Sequence, residues 1–118
     1  MTEIHGSRDC GNSPKNKFVQ DIAIALETGE ATPQDFSEDV VWEGASEEPI
    51  NGRSALFQEL ADRTTPIGIT VEHAISHGKV GSASGEVTLG NGNSRRFSHV
   101  FEFTNAKANR VAVIKTYA

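Results

Sequence analysis

Residues 94–103, SRRFSHVFEF, place a histidine where an inward-facing side chain of a β-strand is expected. Apolar and polar residues alternate along this stretch, and successive side chains of a strand point to opposite faces of the sheet. Phe97, His99, Phe101 and Phe103 share the odd positions, which predicts that the odd face is buried. His99 therefore lies among aromatic rings, and an imidazole in such a place could transfer a proton near neutral pH.

A second histidine, His73, is predicted on the same face of the sheet. If three-residue loops join the strands, odd positions face odd positions, so His73 lies opposite Ala83 and His99 lies opposite Ala83 or Gly85. The two imidazoles are then about two strand spacings, ~10 Å, apart. Small residues between them, including Gly81, leave space that either helix side chains or a ligand could fill.

Three roles are open for each of these two histidines. Each could be a core residue bonded to the backbone or to a carboxylate, could line a ligand pocket, or could form a His73–His99 metal pair with Glu43 as the nearest third ligand. A stable metal site normally needs that third ligand, and the sequence places none with the pair. We therefore predict no bound metal and no cofactor, and we take His99 as the best catalytic candidate.

Further pocket residues come from other elements of the predicted fold. Trp42, the only tryptophan, could be a core residue or an aromatic wall of the pocket. In the last strand Tyr117 shares its face with Lys115 and Val113, but the even positions of that strand could equally form the inner set. The predicted ligand-binding set is His73, His99, Trp42, Phe97, Phe101, Phe18, Ile22 and Tyr117, with Leu26 beside it.

The helices that would cover this face begin at recognisable signals. Ser13 and Pro14 predict an N-cap and a first helical position, and an apolar stripe then continues toward Gly29. A second Thr-Pro start predicts a short helix over 33–38. Apolar residues at helical spacing predict another helix over 53–63.

The remainder of the chain is strand-like and follows the helices. Residues 1–12 show no periodicity and are predicted to be a flexible N-terminal tail before a single domain over 13–118. The order of elements predicts an α+β fold with helices on one side of an antiparallel sheet. The predicted strands cover 40–43, 69–77, 81–89, 94–103 and 111–117, with a Gly-Asn-Gly-Asn hairpin turn at 90–93.

Composition limits the classes of function. The 118 residues fit one domain, carry a formal net charge of −5 and include one cysteine, so no intrachain disulfide is expected. An acidic chain without a dense basic stripe is a poor nucleic-acid binder, and no apolar run reaches the length of a membrane span. We expect a cytoplasmic protein with no nucleic-acid or membrane partner. The GxSxG, HExxH and CxxC motifs are absent.

Three strings of the sequence resemble the NTF2-like superfamily, and most of all its SnoaL-like and ketosteroid-isomerase-like branches. They are FSEDVVWEG, NGRSALFQEL and RRFSHVFEFTNAKANRVAVIKTYA, at 36–44, 51–60 and 95–118. The resemblance implies a cone-shaped, cystatin-like fold in which a curved antiparallel sheet wraps around the N-terminal helices. It also implies a pocket in the open end of the cone, and a homodimer.

Individual residues depart from the ketosteroid-isomerase branch. The position that corresponds to the branch's base aspartate is Gly44, which follows Glu43, and the position of its hydrogen-bond-donating acid resembles His99. The branch's tyrosine on the first helix has no counterpart, although Phe18 lies nearby. A steroid isomerase is therefore not expected, and the Arg-x-Asp strand of the epoxide-hydrolase branch is missing.

Two functions remain in competition. The first is binding of a small, partly apolar molecule, with isomerase, cyclase or lyase chemistry at His99; the second is a non-catalytic dimerisation or partner-binding module with a filled pocket. An open cavity of about 300 Å³ or more beside His99 would favour the first. The homodimer is expected through the even face of the strands, which carries Ser82, Ser84, Glu86, Arg96, Ser98, Val100 and Glu102.

Overall fold

The computed structural model describes residues 2–11, 13–107 and 109–117, in which two helices pack on a curved mixed sheet. The elements are β1 (Glu3–His5), α1 (Pro14–Thr28), β2 (Phe36–Glu43), β3 (Ile50–Asn51), α2 (Arg53–Ala61), β4 (Gly68–His77), β5 (Val80–Thr88), β6 (Ser94–Phe103) and β7 (Val111–Tyr117). Three-residue 3-10 turns cover Arg8–Cys10 and Pro33–Asp35. The strands lie side by side in the order β1-β4-β5-β6-β7-β2-β3.

The two long helices match their predictions. The Ser13 hydroxyl accepts a hydrogen bond from the Asn16 N–H at 3.2 Å and so caps the start of α1. Gly29 ends this helix in the left-handed conformation, and its N–H donates to the Ala25 carbonyl. The apolar stripe of α1 is buried against the sheet. Among the described residues, no helix is long and apolar enough to cross a membrane.

The predicted short helix over 33–38 is wrong in length, and the strand after it was predicted too short. Only the 3-10 turn at Pro33–Asp35 forms, and β2 already begins at Phe36. Phe36 is fully buried, pairs with Val111 of β7 and meets the Phe57 ring edge-on at a centroid distance of 5.8 Å. Burial of this ring favours extended backbone over another helical turn.

Strands β4 to β7 form the predicted antiparallel meander, and the pairs β1–β4 and β2–β7 add parallel neighbours. The register of β5 and β6 places His99 opposite Ala83, one of the two predicted partners. The register of β4 and β5 differs from the prediction. His77 pairs with Val80, so the loop between them has two residues instead of three.

This shorter loop reverses the predicted facing of His73. Ala74, rather than His73, lies opposite Ala83, and His73 pairs with Ser84 on the exposed face. A β-bulge between Val71 and His73 adds one residue to β4. The residues of β4 up to Val71 therefore pair with β5 in the predicted register. His73 therefore does not face the interior.

The segment predicted to be a flexible N-terminal tail contains regular elements at residues 3–5 and 8–10. Strand β1 pairs in parallel with β4, and the 3-10 turn then covers the bulge. The Ser7 hydroxyl donates to the Glu72 carbonyl at 3.1 Å. A carboxylate oxygen of Asp9 accepts the Ala74 N–H at 3.1 Å and lies 3.1 Å from Nδ1 of His73. These contacts lower the pKa of Asp9, the Ala74 hydrogen bond most of all.

Candidate functional site

His99 lies on the concave face of β6, fully buried, in agreement with the inward orientation expected from alternation. Its ring stacks between those of Phe97 and Phe101, at centroid distances of 5.5 Å and 6.0 Å. Both ring nitrogens have partners from other elements of the fold. Of the roles open to His99, the structure therefore shows that of a core residue with a carboxylate partner.

That carboxylate belongs to Glu27 of α1. Oε2 of Glu27 lies 2.6 Å from Nε2 of His99, and Oε1 lies 2.6 Å from a guanidinium nitrogen of Arg95. The Glu27 side chain is buried, whereas Arg95 is 46% exposed and stands at the solvent end of the pair. Burial alone would raise the pKa of Glu27, but its hydrogen bond with His99 and the charge of Arg95 outweigh the effect of burial and lower the pKa.

The other side of the imidazole meets β7 and β2. Oγ1 of Thr116 lies 2.8 Å from Nδ1 of His99, and the Trp42 indole N–H donates to the same hydroxyl oxygen at 2.8 Å. The guanidinium of Arg63 lies over the Trp42 ring, 4.8 Å from its centroid. One hydrogen-bonded chain therefore runs through the core from Arg95 to Trp42.

A carboxylate, an imidazole and a hydroxyl in series can move or hold a proton. The same series activates nucleophilic hydroxyls in hydrolases. Here the Thr116 hydroxyl lies against Nδ1 of His99 and accepts the Trp42 N–H, so its two contacts are both with core residues. The end of the chain that reaches solvent is the one formed by Glu27 and Arg95.

The space predicted beside the small residues of β5 is filled. A Cβ atom at Gly81 would lie 2.6 Å from a methyl carbon of Val19, so α1 side chains occupy this place. A Cβ atom at Gly85 would lie 1.9 Å from the Thr70 carbonyl oxygen, because the neighbouring strand approaches closely. The packed interior around His99 matches the filled-pocket alternative of the sequence analysis.

The structure brings together only part of the predicted pocket set. Trp42, Phe97, Phe101 and Ile22 are buried in the same core as His99. Phe18 is partly buried and contacts the ring of Phe103, at a centroid distance of 6.0 Å. These residues contribute to packing rather than to the wall of an open pocket.

His73 and Tyr117 are corrections to that set, since both lie on the exposed face of the sheet. Tyr117 is 56% exposed because the even positions of β7, with Ile114 and Thr116, form its inner side. Lys115 consequently also points outward, 3.6 Å from Glu102. Lys115 and Tyr117 line a surface cleft of about 300 Å³ with Glu43, Gly44 and Thr116.

Sequence reasoning missed Glu27 and Thr116 as the partners of His99, and Arg95 as the second partner of Glu27. Glu27 follows Val19 and Ala23 at four-residue spacing, so a carboxylate on the buried stripe of α1 was a usable signal. The contact itself joins positions 72 residues apart and has no local signature. Among the described residues, no group of three or more His, Cys, Asp or Glu side chains could hold a metal ion.

Open volume lies on the other side of α1. A groove of about 880 Å³ separates this helix from the N-terminal strand. Ile4 of β1 pairs in register with the buried Ile69, yet it is 52% exposed because α1 does not cover this edge of the concave face. The groove is lined by Thr2, Ile4, Lys17, Gln20, Asp21, Ile24, Ala25, Thr28, Glu30 and Thr65.

Comparison with known proteins identifies the fold. No family model and no curated protein matches the chain. An NTF2-like protein of unknown function from Burkholderia xenovorans LB400 superposes with a TM-score of 0.68 at 20% identity, covering 87% of this chain and 81% of that one. An NTF2-like protein of unknown function from Mesorhizobium loti gives 0.67 at 15% identity, covering 95% and 97%. The chain has the NTF2-like fold.

Two other structural neighbours show that this fold alone does not determine activity. A candidate ketosteroid isomerase from Kribbella flavida DSM 17836 has a TM-score of 0.70 at 17% identity, with 86% of this chain and 75% of that one covered. A de novo designed protein with a curved β-sheet has a TM-score of 0.67 at 16% identity, with 88% and 84% covered. The NTF2-like fold predicted from the sequence is confirmed, and function must be argued from the sites.

Proposed function

We propose that this NTF2-like protein binds a small, partly apolar molecule in the groove between α1 and β1. The observation that supports this most directly is Ile4, an apolar side chain on the concave face that no helix covers. A volume of about 880 Å³ lies within the usual range of small-molecule sites. The proposal moves the binding site away from His99, where the sequence analysis had expected it.

The lining of the groove indicates the character of the ligand. Ile4 and Ile24 provide an apolar floor, while Lys17 and Asp21 form an exposed ion pair at 3.2 Å along one wall. Glu30 stands in the same lining and adds a further negative charge. A molecule with an apolar body and a polar end matches this arrangement.

A pair of isoleucine variants tests the groove. Ile4 and Ile67 are 52% and 53% exposed, but only Ile4 lines the groove, so Ile67→Ser is a matched control for Ile4→Ser. Small carboxylates, steroids and polyketide-like aromatics would be screened by thermal shift, since a ligand of the native state raises apparent stability. We expect a compound that stabilises the wild type and Ile67→Ser and binds Ile4→Ser at least about tenfold more weakly, the effect of losing ~1.4 kcal/mol of apolar contact. Equal binding to all three proteins would refute the site.

A second candidate function, acid–base chemistry, is supported by the buried Glu27–His99 pair. A buried carboxylate and imidazole are costly to hold in a core, and such pairs are concentrated at functional sites. A ligand would reach Glu27 by displacing the half-exposed Arg95. In deuterium oxide, steroid and aromatic ketones should then exchange an acidic C–H in the presence of wild-type protein, and Glu27→Gln should abolish the exchange. Exchange no faster than in buffer would refute this function.

We also propose that two copies associate through the outer face of the sheet. Ile75, Val80 and Tyr117 are large apolar side chains exposed on this face. Sedimentation should show a dimer at micromolar concentration and a shift toward monomer in Val80→Lys, with Ile67→Lys as the control. A monomer in the wild type would contradict the proposal.

A further inference from the structure

The Thr116 hydroxyl joins Trp42 to His99 and limits where the protons of the network can be. A hydroxyl has one hydrogen to donate and two lone pairs that accept. The Trp42 indole N–H can only donate, so it uses one lone pair of Oγ1 at 2.8 Å. Among the described residues, the other partner of Oγ1 is Nδ1 of His99, also at 2.8 Å. The Thr116 hydrogen is satisfied only if it points at Nδ1.

The opposite side of the ring requires the complementary arrangement. Ionised Glu27, whose second oxygen is bound to Arg95, can only accept, so Nε2 of His99 must carry a hydrogen. With a doubly protonated imidazole, Nδ1–H and the Trp42 N–H would both donate to Oγ1 of Thr116, and the hydroxyl hydrogen would have no partner in the described core. An unpaired buried donor is costly. Both sides of the ring are therefore satisfied together only when Nε2 carries a hydrogen and Nδ1 does not.

We propose that Trp42, acting through Thr116, keeps His99 neutral with its proton on Nε2. Trp42 and Thr116 are then positioning residues of the Glu27–His99 pair. The lone pair of Nδ1 is taken by the Thr116 hydroxyl, so neutral His99 has no free nitrogen with which to accept a proton, and its Nε2–H donates a hydrogen bond to Glu27. The group that meets a bound molecule is consequently Glu27, which would take a proton on Oε1 once Arg95 moves aside and return it from the same oxygen.

Nitrogen-15 NMR of the imidazole rings tests this proton placement without any ligand. The chain has four histidines, and the His99 signals are those that disappear in His99→Gln. At neutral pH we expect Nε2 of His99 to be protonated and Nδ1 to be an unprotonated hydrogen-bond acceptor. Thr116→Ser keeps the hydroxyl and should leave this pattern unchanged.

Two variants separate positioning from packing. In Trp42→Phe the hydroxyl hydrogen of Thr116 can also turn to the side that the indole N–H occupied, so two hydroxyl orientations instead of one are compatible with a protonated Nδ1, and the ratio of Nδ1-protonated to unprotonated His99 should rise about twofold. In Thr116→Val the Nδ1 resonance should lose its hydrogen-bond shift. A wild-type ring protonated on Nδ1, or a Trp42→Phe spectrum identical to wild type in a folded protein, would overturn the proposal. If Trp42→Phe does not fold, the wild-type and Thr116→Val spectra decide.

A role of this proton placement in proton transfer rests on the second candidate function, but the NMR test of the proton placement does not. Absence of deuterium exchange together with the expected spectrum would remove the acid–base function and leave the proton placement in force. Exchange that depends on Glu27, together with Nδ1 protonation in the wild type, would support the acid–base function and overturn the proton placement.

Discussion

Replacement of His99 by alanine measures how much the buried imidazole contributes to the free energy of unfolding. Removal of an aromatic ring from a packed core typically costs about 3–5 kcal/mol, and the smaller imidazole between Phe97 and Phe101 should cost ~2–3 kcal/mol. Glu27 also loses one charge-assisted hydrogen bond, worth about 1.5–3 kcal/mol, although Arg95 remains beside it. We therefore expect a total loss of about 4 kcal/mol.

Urea denaturation followed by tryptophan fluorescence provides the measurement. With a slope of about 1–3 kcal/mol per molar urea, the midpoint of His99→Ala should fall by roughly 2 M. Ser98→Ala, the next residue on the outer face, is the control and should change stability by no more than about 0.5 kcal/mol. A loss of about 1 kcal/mol or less in His99→Ala would mean that the ring lines a solvated pocket, and the interpretation of a satisfied core residue would fail.

Three further predictions follow from the same structure. Folding lowers the pKa of Glu27, so the stabilisation from its ionised carboxylate is present above the unfolded pKa of about 4.3 and is lost as the pH falls through the lower folded pKa. Urea titrations should show that Glu27→Gln is less stable than wild type at pH 7 and that this difference is smaller at pH 3. A difference that stays constant with pH would contradict this prediction. Gly85→Ala should cost about 3 kcal/mol or prevent folding, because its Cβ would strike the backbone of Thr70, while Gly90→Ala, with open space around it, should be nearly neutral in thermal unfolding. Arg95→Ala should cost only about 1 kcal/mol by urea denaturation, because the guanidinium is half exposed and solvent screens its ion pair, and a much larger loss would show that Glu27 cannot remain buried without it.

Local signals in the sequence were enough to predict most of the elements. The Ser-Pro start and the terminal glycine of α1 act through hydrogen bonds to nearby backbone, so the sequence around them is enough to predict the helix ends. The period-two alternation of β6 likewise predicts the inward orientation of His99 without reference to other elements. Strand β1 could not be found in this way, since three residues are too few to show a period and its pairing with β4 is long-range.

The candidate site is formed by residues that are far apart in the sequence, and no local pattern encodes their contacts. The facing of His73 was decided by whether the β4–β5 loop has two or three residues, and glycine permits both. The partners of His99 come from α1 and β7, so the distinction between a pocket residue and a core residue was set by packing. The sequence showed that an imidazole faces inward, but it did not contain the information that Glu27 would meet it.

The β4–β5 hairpin holds two registers, one on each side of the bulge between Val71 and His73. Without the bulge, and with a three-residue loop, the same strands would pair with His73 and Ile75 inward, which would bury an isoleucine that is now 55% exposed. Ser7 and Asp9 hold the observed alignment through their hydrogen bonds to the bulge. Removal of residues 1–10 would leave the choice to the β4 side chains, and we expect slippage of the hairpin, detectable as faster amide hydrogen exchange in β4. The N-terminal segment thus determines which face of β4 is buried in the core.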